Sequence, residues 1–133
     1  MCNVSVIEFF IEYTNPEEFV GKRVLEIGSK YVNGSVRPLI ERFLNPGEYV
    51  GIDIVPGKFV DIVLPAERLL DCFSPNSFDV VVSTELLEHV KDWRLVINNM
   101  KSVLRSNGYI YISLQDLVDS LTMDTHMISG ATS

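Results

Sequence analysis

The fold of this chain is indicated first by the segment VLEIGSKYVNGS at residues 24–35. An apolar run from Arg23 ends at Gly28, and small and polar residues then lead to Gly34. Beyond this loop, apolar side chains return at helical spacing over residues 36–43. The segment therefore predicts a buried strand, a loop that a ligand can approach closely, and a helix.

Strands and helices alternate along the rest of the chain. Short apolar runs predict four further strands, at residues 49–54, 59–64, 78–83 and 109–114. An amphipathic pattern predicts a helix over about 93–104, and the first twenty residues are also predicted to be helical, with a restart at Asn15 and an end at Gly21. Because parallel strands need crossover connections, this alternation predicts an α/β fold with a doubly wound parallel sheet.

The composition is typical of a globular domain, with 47% hydrophobic and 22% charged residues in a chain of 133. The net charge is −7 and the eleven Lys and Arg residues are scattered, so we expect no nucleic acid partner. No apolar run approaches the roughly 18 residues of a membrane span. The two cysteines lack CxxC spacing, so we expect no metal site, no disulfide and a cytoplasmic location, with Cys72 as a small buried hydrophobe.

Two loops at the carboxyl ends of predicted strands carry the strongest sign of a ligand site, because ligands of open α/β sheets bind there. Gly28 follows the first strand and Asp53 follows the second, where a carboxylate can accept hydrogen bonds from both hydroxyls of a ribose. A nicotinamide-binding GxGxxG motif is absent, because Lys30 stands two positions after Gly28. The alternative is structural, with the glycines building a turn and Asp53 capping a loop.

Five successive motifs make this pattern specific. They are VLEIGSKYVNGS, YVGIDIVPG, DIVLPAERL, FDVVVSTELLEHV and NGYIYISL, and they span about Val24–Leu114. In content and order they resemble the motifs of class I S-adenosyl-L-methionine-dependent methyltransferases, in the type 11-like group. The resemblance implies a Rossmann-like enzyme domain with S-adenosyl-L-methionine (SAM) as its cofactor. The acceptor stays open among a small molecule, a glycan-related compound and a protein.

The resemblance also implies which residues hold SAM. Glu26 and the backbone of Gly28 and Ser29 would lie beside its methionine part. Asp53 would bind the ribose, and Ile54 would pack on the adenine. The full set of cofactor-binding residues implied in this way is Glu26, Gly28, Ser29, Gly34, Asp53, Ile54, Ala66, Glu67, Thr84 and Glu85.

The last four of these match two later motifs of the family. Ala66 and Glu67 match the stretch that meets the adenine edge, and Thr84 and Glu85 match the segment at the methyl-donor end. The sequence departs from the family in its glycine-rich run, which is reduced to two glycines, and at Pro65, where an Asp often meets the adenine amino group.

The motifs require no particular catalytic side chain, because the methyl group of SAM is already activated and the protein mainly positions the acceptor. Glu88 and His89 are a candidate acid–base pair, although such a His more often completes a hydrogen bond at the sheet edge. Trp93 has helical spacing with Val96 and Ile97 and is expected in the core. Two other functions stay open: a catalytically inactive cofactor-binding or association module, and a nicotinamide or nucleotide-sugar enzyme.

Family members order their strands 3-2-1-4-5-7-6. The resemblance therefore implies the order 3-2-1-4-5 here, without the last two strands of the family. The domain would cover residues 1–114, with N-terminal helices at 1–22 and an atypical tail at 115–133. The fifth strand would lie at an open edge, and we expect either the tail or a second copy of the chain, in a homodimer, to cover it.

The genetic code offers an explanation for the tail. Many relatives continue after the fifth strand with a segment resembling Phe-Pro-x-His-x-x-Pro-x-Asp-Phe/Tyr-Trp-Arg. When codons are read one base earlier, Met123 followed by Asp124 must give Gly, and Met127 followed by Ile128 must give Asp. The neighbouring junctions permit the rest of that segment. We therefore expect a frameshifted tail that is poorly ordered or held only by fortuitous contacts.

Overall fold

The predicted sheet is present in the computed structural model, which describes residues 8, 11–32, 34–84, 90–113 and 127–132, the backbone alone at 113 and 127–132. Its strands lie in the order β3-β2-β1-β4-β5-β6, and β1 to β5 run parallel. The predicted order of the first five strands is confirmed. The strands are β1 (Arg23–Ile27), β2 (Glu48–Asp53), β3 (Ile62–Val63), β4 (Phe78–Thr84), β5 (Leu104–Ser113) and β6 (Met127–Thr132).

The central strand β1 separates two apolar layers. It pairs with β2, where Leu25 lies opposite Val50, and with β4, where Val24 lies opposite Val80. Because side chains alternate along a strand, Leu25 packs into one apolar cluster and Val24 into the other. Both faces of the sheet are therefore buried, as the continuous apolar runs of the sequence predict.

Helices cover both faces. The helix α1 begins with an α-helical turn at Arg37–Leu39 and continues as a π-helical turn at Ile40–Leu44, which packs on the Val24 side. The helix α2 (Trp93–Val103) buries Val96 and Met100 on the Leu25 side, and the carboxylate of Asp92 accepts from the Leu95 N–H at its first turn. The predicted doubly wound arrangement is confirmed.

The N-terminal region contains less helix than predicted. Residues 8 and 11–13 are helical, but a single 3-10 turn at Pro16–Glu18 replaces the predicted second helix. The Asn15 N–H donates to the carboxylate of Glu18 at 3.1 Å. Gly21 takes a φ of 69° and ends the segment, as predicted. The rest of the predicted N-terminal helix lies outside the described residues.

The third strand is shorter than predicted, with two residues instead of six. Phe59 has a φ of 70°, outside the range of regular strand backbone, and its carbonyl oxygen accepts from Ser29 Oγ at 2.7 Å. The carboxylate of Asp61 accepts from the Gly51 N–H at 2.8 Å. Contacts to the loop after β1 and to β2 thus hold residues 59–61 in a turn, and only Ile62–Val63 remains to pair with β2.

The fifth strand is longer than predicted, because it starts at Leu104 directly after α2. Its pairing with β4 shifts register between Phe78 and Val80, and Asn107 has a φ of 66° within the irregular part. A sequence pattern with Asn and Gly at 107–108 is typical of a turn. Here those residues form an irregularity inside one strand.

The tail covers the open edge of β5, which is one of the two arrangements that we expected. Residues 127–132 form β6, which pairs antiparallel with β5 along six residue pairs. This sixth strand was not predicted, since the tail was expected to be poorly ordered or held only by fortuitous contacts. Pairing through backbone hydrogen bonds is compatible with the second of these expectations, because an open edge accepts an extended segment largely irrespective of its side chains. A second copy is not needed to cover β5.

Two burial predictions are wrong. Trp93 is 44% exposed, and its ring lies 4.7 Å from the Arg94 guanidinium carbon. Helical spacing identifies the inward face of α2, but it does not say how far along the helix the core extends. Cys72 is exposed, because it follows the short 3-10 helix Ala66–Asp71 at the surface. In the described part of the chain, every helix is too short or too polar to cross a membrane.

Candidate functional site

A cavity of about 310 Å³ opens at the carboxyl ends of β1 and β2, where the sequence predicted a ligand site. The loops after β1, β2, β3 and β4 all contribute to its wall. The described residues that line it are Ile27, Gly28, Asp53, Ile54, Leu64, Ala66, Glu67, Val90 and Lys91. Five of the ten residues implied by the resemblance are therefore brought together: Gly28, Asp53, Ile54, Ala66 and Glu67.

Asp53 is the most clearly oriented side chain in the cavity. The Lys30 N–H donates to Oδ2 at 3.0 Å, and the Val55 N–H donates to Oδ1 at 3.2 Å. Each carboxylate oxygen can accept further hydrogen bonds. The carboxylate is therefore held in place before a ligand arrives, with capacity left to accept from two hydroxyl groups.

The turn after β1 is built by close approach of backbone segments. Gly28 has a φ of 77°, and the N–H groups of Gly28 and Ser29 both donate to the Ile52 carbonyl, at 2.9 and 3.0 Å. The Ser29 side chain is buried and donates to the Phe59 carbonyl, so it lies behind the cavity. A Cβ on Gly51 would lie 2.4 Å from that carbonyl oxygen. Residue 51 must therefore be glycine for the Phe59 carbonyl and the Ser29 side chain to approach β2 this closely.

Glu26 lies beneath this turn, fully buried and outside the cavity wall. The Tyr49 hydroxyl donates to its Oε1 at 2.5 Å, whereas Oε2 has no hydrogen-bond partner among the described residues. Burial raises the pKa of Glu26 from 4.5 to about 7, although the Tyr49 hydrogen bond and the charge of Arg37 oppose this rise. A buried carboxyl with an unused oxygen at a ligand-binding edge is a candidate for linkage to ligand charge.

Asn99 supports the cavity from α2 and was not identified from the sequence. Its buried Nδ2 donates to the carbonyl oxygens of Ala66 and Glu67, each at 3.1 Å. These bonds fix the loop that carries two of the lining residues. An Asn among apolar residues on a helical face is a weak signal, and its partners lie more than thirty positions away.

The remaining implied residues lie elsewhere. Gly34, with a φ of 155°, and the buried Thr84 do not line the cavity. Glu85, Glu88 and His89 lie outside the described residues. In the described ranges, no group of three or more His, Cys, Asp or Glu side chains is placed to hold a metal ion.

Four lining residues were missed: Ile27 and Leu64, which belong to predicted strands, and, in the loop after β4, Val90 and Lys91. The latter two follow β4 by several positions, and the sequence signal that points to them is only their place in a loop at the carboxyl end of a strand. Side-chain type gives no indication there, since an apolar residue and a lysine occur on any surface.

A family model described as a methyltransferase domain matches residues 5–131. The chain belongs to this methyltransferase domain family. The match covers all five motifs on which the resemblance was based, and it includes β6 except for its last residue. The order of strands and the cavity at the carboxyl ends of β1 and β2 are consistent with this membership.

Solved structures share the fold of this methyltransferase domain. A SAM-dependent methyltransferase from Mesorhizobium loti has a TM-score of 0.68 at 15% identity, over 84% of this chain and 53% of that one. A SAM-dependent methyltransferase from Archaeoglobus fulgidus has a TM-score of 0.64 at 25% identity, over 82% and 51%. The [4+2]-cyclase SpnF has a TM-score of 0.65 at 16% identity, over 82% and 43%.

The chain spans about half the length of the solved structures it matches. The cyclase among them indicates that the fold alone does not determine the reaction. No curated protein matches the chain.

Proposed function

We propose that this domain binds SAM in the cavity at the carboxyl ends of β1 and β2 and transfers its methyl group. The observation that carries the proposal is the carboxylate of Asp53, fixed by two backbone N–H groups at the wall of that cavity. A ribose offers two adjacent hydroxyl donors to such a carboxylate. Membership of a methyltransferase family supports SAM as the nucleoside, and the Archaeoglobus fulgidus protein is itself SAM-dependent.

The residues present fit SAM. Asp53 would hold the ribose, and Ile54, Leu64 and Ala66 provide an apolar wall for the adenine ring. Ile54 is 67% exposed, so a stacked ring would cover it. Gly28 leaves room for the ligand beside the turn after β1. SAM would supply a methyl group on a positively charged sulfur, and the protein would orient it toward an acceptor.

Calorimetric titration of the 133-residue chain with SAM, S-adenosylhomocysteine (SAH) and NAD tests this proposal. We expect SAM and SAH to bind at one site with micromolar affinity and NAD to give no binding heat. NAD binding in preference to SAM would favour a nicotinamide enzyme and overturn the proposal. A folded chain that binds none of the three would also overturn it.

A further inference from the structure

Glu26 and Tyr49 form a buried pair between the central strands. Glu26 lies on β1 and Tyr49 on β2, and the two side chains share the face of the sheet that α1 covers. The hydroxyl of Tyr49 donates to Oε1 of Glu26 at 2.5 Å. This is the one hydrogen bond that the described residues give to the carboxyl, because Oε2 is buried without a partner.

A line of polar contacts leads from this pair to the surface. The Arg37 guanidinium carbon lies 4.7 Å from the centre of the Tyr49 ring, and Arg37 Nη1 lies 2.8 Å from Oδ2 of the exposed Asp61. The Arg37 side chain is 13% exposed and lies between them. The ring of Tyr49 is thus held from outside while its hydroxyl points inward to Glu26.

The charged groups around Glu26 have opposite effects on the ionisation of its carboxyl. Among the described residues, Arg37 on α1 favours the ionised carboxyl, and Asp53 at the end of β2 disfavours it. The hydrogen bond from Tyr49 favours ionisation, and the neighbour on β4, Val82, is apolar. Small changes in these surroundings therefore decide whether the Glu26 carboxyl is protonated or ionised. The Tyr49 hydroxyl, which is hydrogen-bonded to this carboxyl, is the nearest of the groups that affect its pKa.

By the resemblance, the methionine part of a bound SAM, with its positive sulfonium and amino group, would lie at the carboxyl end of β1, where Gly28 lines the cavity. The Glu26 carboxyl does not have to touch them, because charges in a buried site are weakly screened and act across several ångströms. Only the ionised carboxyl attracts them. Any contact that favours ionisation of the Glu26 carboxyl therefore strengthens binding of the positively charged end of SAM.

We propose that Tyr49 is a positioning residue of the cofactor site, which holds the Glu26 carboxyl in the orientation and charge state that attract the cationic end of SAM. The inference rests on the proposed function, because it concerns the affinity of the same cavity. It predicts that SAM affinity rises with pH through neutrality and that Tyr49 sets the position of this rise.

The test is calorimetric titration of SAM between pH 5.5 and 9 into wild-type protein, Tyr49→Phe and Tyr109→Phe. Tyr109 is a partly buried tyrosine on β5 that packs against the same apolar cluster, so its variant makes a matched control. In Tyr49→Phe we expect the midpoint of the affinity curve to move upward by about one pH unit. Affinity would fall roughly five- to tenfold near pH 7 and at most about twofold at pH 9. Tyr109→Phe would follow the wild type.

A Tyr49→Phe curve parallel to that of the wild type, with equal loss at all pH values, would overturn the inference and indicate a merely structural role. A ligand-free measurement separates this failure from that of the proposed function. Carbon-13 NMR titration of the Glu26 carboxyl, assigned with Glu26→Gln, would give a higher midpoint in Tyr49→Phe than in wild type. If that shift is present but SAM does not bind at any pH, the cofactor assignment fails together with the role of Tyr49 in binding.

Discussion

Asp53 is the residue on which the proposed ribose contact depends. We expect Asp53→Ala to weaken SAH binding by roughly 1.5–3 kcal/mol, because charge-assisted hydrogen bonds to the ribose are lost. Asp71→Ala is the matched control, since Asp71 is exposed and its carboxylate pairs with Arg68 alone among the described residues. Calorimetry on both variants checks this, and an unchanged dissociation constant in folded Asp53→Ala would reject the assignment.

Glu26 predicts a particular dependence of stability on pH. Its pKa is about 7 in the folded protein against 4.5 ordinarily, so the folded state binds the proton more tightly. Its contribution to the free energy of unfolding is therefore fully present below pH 4.5 and is lost as the pH rises through 7. We expect the difference in stability between wild type and Glu26→Gln to fall by about 3 kcal/mol across that range.

Urea unfolding at several pH values measures this difference. Other carboxyl groups titrate in both proteins and cancel in the comparison. A difference in unfolding free energy that stays constant from pH 4.5 to 8 would mean that Glu26 is ionised normally in the folded state.

Single residues of the site were predictable to different degrees. Asp53 and Gly28 were identified because their place after a strand and their chemistry are both visible in the sequence. The burial of Ser29 was not, since its hydroxyl bonds to the Phe59 carbonyl thirty positions away. Asn99 and the Glu26–Tyr49 pair likewise depend on which strands and loops become neighbours, which local patterns do not contain.

At the scale of elements, α2 has a second role besides covering the sheet. Asn99 connects it to the loop that carries Ala66 and Glu67. We expect Asn99→Ala to lower the free energy of unfolding by about 1–3 kcal/mol, because two carbonyl oxygens lose their donor. SAH binding would weaken as well, since the loop lines the cavity.

The neighbouring Asn98 provides the control for this prediction. It lies in the same helix but is exposed, so Asn98→Ala changes the same residue type without breaking the contact. Chemical denaturation and calorimetry of the two variants give both quantities. Equal stability of the two would show that the Asn99 hydrogen bonds contribute nothing net.

Elements buried on both faces were predicted best. The predicted bounds of β1, β2 and β4 agree with the structure within one residue, because fully buried strands give continuous apolar runs. The predicted extent of the third strand was wrong, because the apolar residues at 59–64 do not reveal the left-handed φ of Phe59. The π-helical turn at Ile40–Leu44 was also not visible, since helical spacing does not distinguish a π turn from an α turn.

At the scale of the whole molecule, the origin of the tail stays a prediction. We propose that residues 115–133 are translated in a shifted frame, and the strand at 127–132 does not test this, because edge pairing depends on the backbone. Sequencing the gene decides the question. We expect the frame one base earlier to encode the family segment and to continue into further strands. An immediate stop codon in that frame would contradict the proposal.

The central position of β1 has a consequence for how fast the chain folds. Its neighbour β4 comes much later in the sequence, and the Arg23 N–H donates to the Asp79 carboxylate across 56 positions. Closing so long a loop costs entropy before any contact between the two strands offsets it. The centre of the sheet therefore depends on a late, non-local encounter, and refolding should be slower than in a helical bundle of equal size. We expect the joining of β1 with β4 to limit the refolding rate, and stopped-flow refolding of variants at this contact would test it.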